Sequence, residues 1–162
     1  MKKFTFYLLT ALAFSISSCN SKSKESNTAG LETPDKETTA TFTVDGTDYT
    51  GKVSTQYFGS NKETDNFSVV CQQDEPLVLL QAVFANEKDV KSADLKPNGS
   101  SYNVGVGNFG LELTIAGAPK MFIANPKSGG TLTVEGHKMM IKGMKLFDSG
   151  GKEKTVNATI NF

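Results

Sequence analysis

Hydrophobic and polar residues divide the chain into three stretches of different texture. Phe4 to Ile16 (FTFYLLTALAFSI) is an uncharged, mostly apolar run behind Met1-Lys2-Lys3. It is too short for a permanent membrane helix, which needs about 20 apolar residues, and it fits the apolar core of a secretory signal. Asn20 to Thr39 is polar, with Leu31 its only large apolar residue. From Ala40 onward, apolar and polar positions alternate with period two, broken by Gly, Asn, Asp and Pro. That is the pattern of β-strands joined by tight turns.

The alternation predicts an opening hairpin. Phe42 and Val44 alternate with Thr, and Asp45-Gly46 follows. Both central positions of a type I′ turn need positive φ, which suits this dipeptide. A two-residue loop sets Val44 opposite Thr47 and Phe42 opposite Tyr49, an aromatic cross-strand pair. Further strands are predicted over Phe67–Gln72, Leu77–Ala85, Ser101–Val106, Leu111–Ala116, Lys120–Ala124, Thr131–Glu135, Lys138–Phe147 and Lys154–Phe162. Leu77–Ala85 (LVLLQAVFA) is apolar on both faces apart from Gln81, as a central strand is. Asn86 is positioned to cap one short helix, with Asp89 at the third position, and Pro97 stops it. The fold class is therefore all-β: an antiparallel sandwich or meander barrel of about nine or ten strands with at most one short helix. No alternation of strands with helices supports a parallel sheet.

The apolar run ends in Ile16-Ser17-Ser18-Cys19, an aliphatic residue, two small residues and a cysteine. This matches the lipobox cut by lipoprotein signal peptidase after its Cys thiol is alkylated by a diacylglyceryl group. The expected organisation is a signal peptide at 1–18, a lipid-anchored disordered tether at 19–39 and an all-β domain at 40–162. Two or three acyl chains make such an attachment stable where one does not. A stretch as polar as 20–39 cannot bury enough surface to offset its ordering entropy. About 20 flexible residues reach roughly 25 Å.

Charge and composition narrow the partners. All 17 basic residues are Lys, and Arg and Trp are absent. Loss of Lys2 and Lys3 leaves 15 lysines against 17 acids, a slightly acidic mature chain. Without Arg, the side chain best suited to bidentate phosphate and base contacts, nucleic-acid binding is not expected. With Cys19 consumed by lipid, Cys71 has no intramolecular partner. It shares one strand face with Phe67 and Val69 and reads as a small buried hydrophobe.

Several motifs could carry chemistry. Gly105-Val106-Gly107-Asn108-Phe109-Gly110 has the spacing of a dinucleotide loop, but Leu111-Glu112-Leu113-Thr114-Ile115 continues as a strand where such a site opens a helix. A Gly-rich hairpin turn is the expectation. His137 is the only histidine, and Met139, Met140 and Met144 follow it. Imidazole and thioether suit Cu(I), so His137 and Met139, on one strand face, form the candidate metal pair. Strict alternation places Met140 and Met144 on the other face. Asp45-Gly46-Thr47-Asp48 is explained by its turn without calcium, and Asp74-Glu75 before Pro76 by a solvated turn. There is no Gly-x-Ser-x-Gly elbow, so no catalytic residue, cofactor or enzymatic activity is expected. Phe162, ending the alternation Val156, Ala158, Ile160, is expected to close a soluble core and not a membrane barrel.

The lipobox Cys with its Ser/Lys tether, the opening TFTVDGTDYTGKV and the ending GGTLTVEGHKMMIKGMKLFDSGGKEKTVNATINF together resemble the small β-rich lipoproteins of the Bacteroidetes phylum. The first hairpin is similar to their F-x-V-(N/D)-G-x-x-(Y/W) start, and the ending to their G-x-hydrophobic, I-x-G-x-F, turn, V-x-(I/V)-x-x-x-F close. Lys142-Gly143-Met144 departs from that close. The resemblance implies a β fold and an envelope address but no active site. Asn20, where enteric inner-membrane lipoproteins carry Asp, points by analogy to the outer membrane. Bacteroidetes surface-export signals are acidic, and Ser21-Lys22-Ser23-Lys24-Glu25 holds a single acid, so the periplasmic side is expected over surface display. The expected role is a non-catalytic binding or interaction module for a protein, glycan or small-molecule ligand. The alternatives are copper handling and an effector-immunity lipoprotein.

Overall fold

A computed structural model describes residues 38–91 and 94–162. The signal peptide expected at 1–18, the acylation expected at Cys19 and all but the last two residues of the expected tether lie outside the described residues. Those last two, Thr38 and Thr39, belong to the first described strand.

The strands are β1 (Thr38–Val44), β2 (Thr47–Tyr57), β3 (Phe67–Gln73), β4 (Val78–Phe84), β5 (Lys96–Pro97), β6 (Asn108–Ile115), β7 (Phe122–Ile123), β8 (Thr131–Glu135), β9 (Lys138–Phe147) and β10 (Glu153–Asn161). Eight of them close on themselves in the order β10-β1-β2-β3-β4-β6-β7-β9, with β9 pairing back to β10. The architecture is thus a closed antiparallel barrel, which leaves its wall strands few free edges. Two strands lie off the ring: β8 pairs with β9, and the short β5 runs parallel to β6.

The first hairpin forms as its sequence demands. Asp45 and Gly46 take φ of 50° and 82°. Val44 faces Thr47 and Phe42 faces Tyr49, with the two rings stacked 5.6 Å apart. Closure comes from distant pairing. Thr41 of β1 meets Thr159 of β10, and Asn161 of β10 meets Lys138 of β9.

The barrel interior is filled. Phe42, Leu80, Phe84, Phe109, Leu111 and Ile160, from four different strands, are each at most 1% exposed. Cys71 is completely buried in the same core, as expected. Phe162 packs against it from the rim, with its ring 6.2 Å from that of Phe67.

Three readings of the sequence are corrected. Ser101–Val106 is no strand: residues 98–107 run as a strap across the outer face of β6. Asn98 N donates to Phe109 O at 2.8 Å. Gly110 lets the strap lie close, since a Cβ there would sit 2.5 Å from the Ser100 carbonyl oxygen. Under the strap, Ser101 Oγ donates to the Glu112 carboxylate. The glycine-rich stretch is accordingly a turn from strap into strand and not a hairpin. Gly107 has φ 78°, and Asn108 N donates to Gly105 O at 3.1 Å.

The methionine faces are the third correction. Gly143 takes φ 58°, and two β9 residues, Lys142 and Gly143, oppose the single Asn157 of β10. Asn157 Oδ1 accepts a hydrogen bond from Gly143 N at 2.7 Å. Such a bulge advances the strand by one residue and reverses its alternation. Met139 and Met144 therefore both enter the core, each 1% exposed, while Met140 is only half-buried.

Candidate functional site

One rim of the barrel gathers the side chains best placed to hold a ligand. β4 ends at Phe84, and Asn86 then caps a single 3-10 turn over Asp89–Lys91. Its Oδ1 accepts from Asp89 N at 3.0 Å. The predicted cap is real, although the helix it starts lasts one turn. That turn drives Val90 into the core and leaves Lys88 and Lys91 exposed. Asp89 is buried, and its Oδ2 accepts from Gly107 N at 2.9 Å, tying the turn to the end of the strap.

The opposite wall is the β8–β9 turn. Gly136 takes φ 61°, which releases the chain into β9 and leaves His137 exposed. Phe162 N donates to His137 O at 2.9 Å. The Phe162 ring meets the imidazole edge-on with centroids 5.6 Å apart. Between these walls lies a pocket of about 240 Å³, lined by Glu87, Lys88, Val90, Lys91, Gly136, His137 and Phe162.

Glu87 is held from β2. Tyr57 donates its phenolic proton to Glu87 Oε2 at 2.7 Å. That hydrogen bond, with burial and the nearby negative charge, pushes the Tyr57 pKa up to about 12. The phenol thus remains a donor across the physiological range. Lys62 Nζ lies 5.3 Å from the Tyr57 ring centroid, a cation–π arrangement on the same residue. Lys88 and Lys91, in contrast, make no ion pair among the described residues.

Two other depressions are less organised. A slot of about 230 Å³ separates β5 from β8 and has Phe109, Leu132 and Met144 at its base. An open groove of about 460 Å³ runs along Met121, Ile123 and Phe147, with Lys120 and Asp148 at its edge. Hydrogen bonds from the Lys152 and Gly150 amides, aided by Lys120 and Lys152, hold the Asp148 carboxyl below the usual range.

The candidate copper pair is not assembled. His137 sits on the exposed rim, whereas the Met139 side chain is inside the barrel at 1% exposure. Among the described residues no group of three or more His, Cys, Asp or Glu side chains is placed to hold a metal. The Cys71 thiol donates to Ala40 O at 3.6 Å, and burial raises its pKa. It is therefore held protonated, the opposite of a reactive thiolate. Sequence reasoning found His137 and Phe162 separately but missed their union with Tyr57, Glu87, Lys88 and Lys91. The Asn86 cap was the one local signal: it fixes where the two lysines project. No protein family, curated protein or solved structure matches the chain, so the reading of this rim rests on its own geometry.

Proposed function

We propose that the chain is an exported lipoprotein, acylated at Cys19, whose barrel is a non-catalytic binding module in the cell envelope. The anchor is supported by the lipobox Ile16-Ser17-Ser18-Cys19 behind an apolar run too short to span a bilayer. Asn20 and the resemblance to Bacteroidetes lipoproteins favour the outer membrane, and the single acid in Ser21-Lys22-Ser23-Lys24-Glu25 favours its periplasmic face. The single observation that carries the mode of binding is the filled interior. Phe42, Phe84, Phe109 and Leu111 occupy the space in which a ligand-carrying barrel keeps a cavity. Recognition therefore belongs to the outside of the barrel, and the rim around His137 and Phe162 is its best-formed concavity.

The anchor is tested by radiolabelled palmitate in the native host. Label should enter the wild-type chain and disappear in Cys19→Ala, which should also leave the membrane fraction. Equal labelling of both chains removes the anchor from this reading.

A further inference from the structure

We propose that the rim pocket binds the anionic head of a small amphipathic molecule, a carboxylate or phosphate carried on a short apolar body. The inference deepens the binding-module half of the reading above and is independent of acylation.

The pocket separates its charges in a way that selects an anion. In a 3-10 turn, side chains three residues apart lie over one another. Lys91 N donates to Lys88 O at 3.4 Å, so Lys88 and Lys91 project from the same side of the turn. Neither ammonium has an ion-pair partner among the described residues. Among the described residues, Glu87 is the only acidic side chain lining the pocket, and the Tyr57 phenol occupies one of its oxygens. Two lysine donors and the imidazole of His137 are thus left for an incoming group. Hydrogen bonds between ionised partners are about twice as strong as neutral ones.

The remaining lining gives an apolar seat. Val90 and the Phe162 ring face the same space, and that ring is held by Phe67 behind it and His137 at its side. A ring fixed in this way loses little freedom on contact, which favours binding. The volume of about 240 Å³ corresponds to roughly eight waters at ~30 Å³ each. That suits a head group with a chain of a few carbons and is too little for a long acyl chain.

His137 is the only histidine in the chain, so its ring signal in ¹³C-histidine NMR reports this pocket alone. The unlipidated mature chain (residues 19–162 with Cys19→Ser) is titrated with hexanoate, hexyl phosphate, hexanol and NaCl at matched ionic strength. Hexanoate or hexyl phosphate should move the signal saturably, and their relative affinities tell the two head groups apart. Hexanol and NaCl should leave it in place. The Lys88→Gln/Lys91→Gln variant changes two exposed side chains and keeps the fold; its affinity should fall at least ~10-fold, as expected for loss of charge-assisted bonds. A response to both anions no larger than that to NaCl, an equal response to hexanol, or unchanged affinity in the double variant overturns the proposal. Palmitate labelling of Cys19 reports the anchor separately in every case.

Discussion

Around one side of the barrel, the outer faces of β10, β1 and β2 lie open to water. Around the other, outward residues of β3, β4 and β6 such as Ser68, Val83 and Glu112 are buried, and the 98–107 strap lies across β6 and reaches Asn66 just before β3. The open wall carries its polar groups as an exposed array: Thr39 and Thr41 on β1, Asn157 and Thr159 on β10, Thr50 and Lys52 on β2. Its cross-strand bonds, such as Thr41 Oγ1 to Thr50 Oγ1 at 3.1 Å, compete with solvent. The covered wall has polar groups as well, but each is matched. Gln81 Nε2 donates to Ser68 Oγ at 3.2 Å, and Ser101 Oγ donates to Glu112. Asn66 donates to Ala85 O and Val104 O and accepts from Val104 N, clamping the strap at its middle. No buried side-chain nitrogen or oxygen among the described residues lacks a partner. A polar group left unpaired under the strap costs its desolvation, whereas one on the open wall costs almost nothing. The two walls therefore differ less in composition than in what each residue change is expected to do.

Substitutions in the core that both walls share should have the largest effect. Leu111→Ala, at a position with 0% exposure, is expected to cost about 2–5 kcal/mol in urea unfolding. Next comes the seat of the strap. Gly110→Ala brings a Cβ to 2.5 Å from Ser100 O and 2.7 Å from the Ser101 Cα, both backbone positions with little room to yield. It should destabilise by about 1–3 kcal/mol and speed hydrogen exchange in the strap. Asn66→Ala removes three hydrogen bonds at a half-buried site that water partly reaches, for an expected loss of about 1–2 kcal/mol. On the open wall, Thr41→Ala and Thr159→Ala should stay within about 0.5 kcal/mol of wild type. If these two match Asn66→Ala in magnitude, the contrast between the walls is wrong.

The smallest effect is one of pH at the β1–β2 turn on the open wall. The Asp45 carboxylate accepts from Lys154 Nζ at 2.7 Å and from Thr155 N at 2.8 Å. The Lys154 bond first, then that of Thr155, holds its pKa below the ordinary 3.8. A pKa lowered by folding contributes stability that is present above 3.8 and is lost as pH falls through the lower folded value. Because the pair is exposed, the contribution is slight. Lys154→Gln should flatten the acid limb of a stability–pH curve only below about pH 4.

The same contrast separates what the sequence reveals from what it hides. Strands of the open wall have one wet face, so TTATFTV and the ending VNATINF alternate plainly. The Asp45-Gly46 turn then fixes the register of the first hairpin. Leu77–Ala85 is apolar on both faces because its outer face is covered, which is why it was recognisable as central. What covers it was misread. Ser101–Val106 alternates in sequence through Tyr102, Val104 and Val106, but only Val104 of these is buried. Tyr102 and Val106 are 67% and 76% exposed, Ser101 turns inward three residues before Val104, and the segment joins no ladder. Over so short a segment, period two fixes neither which side chains turn inward nor strand pairing. The reversal at Gly143 was hidden for a related reason, since one positive φ on β9 exchanges the faces of every later residue. Barrel closure, through Thr41 and Thr159, and the rim pocket, joining residues from 87 to 162, depend on contacts between distant parts of the chain. No local pattern encodes them.

The functional account stands or falls with position 19. The most direct measurement is mass spectrometry of the amino-terminal peptide of the protein taken from its native membranes. The account requires a chain that starts at Cys19 and carries a diacylglyceryl group on its sulfur. A chain still beginning at Met1, or a Cys19 with a free thiol, would contradict it.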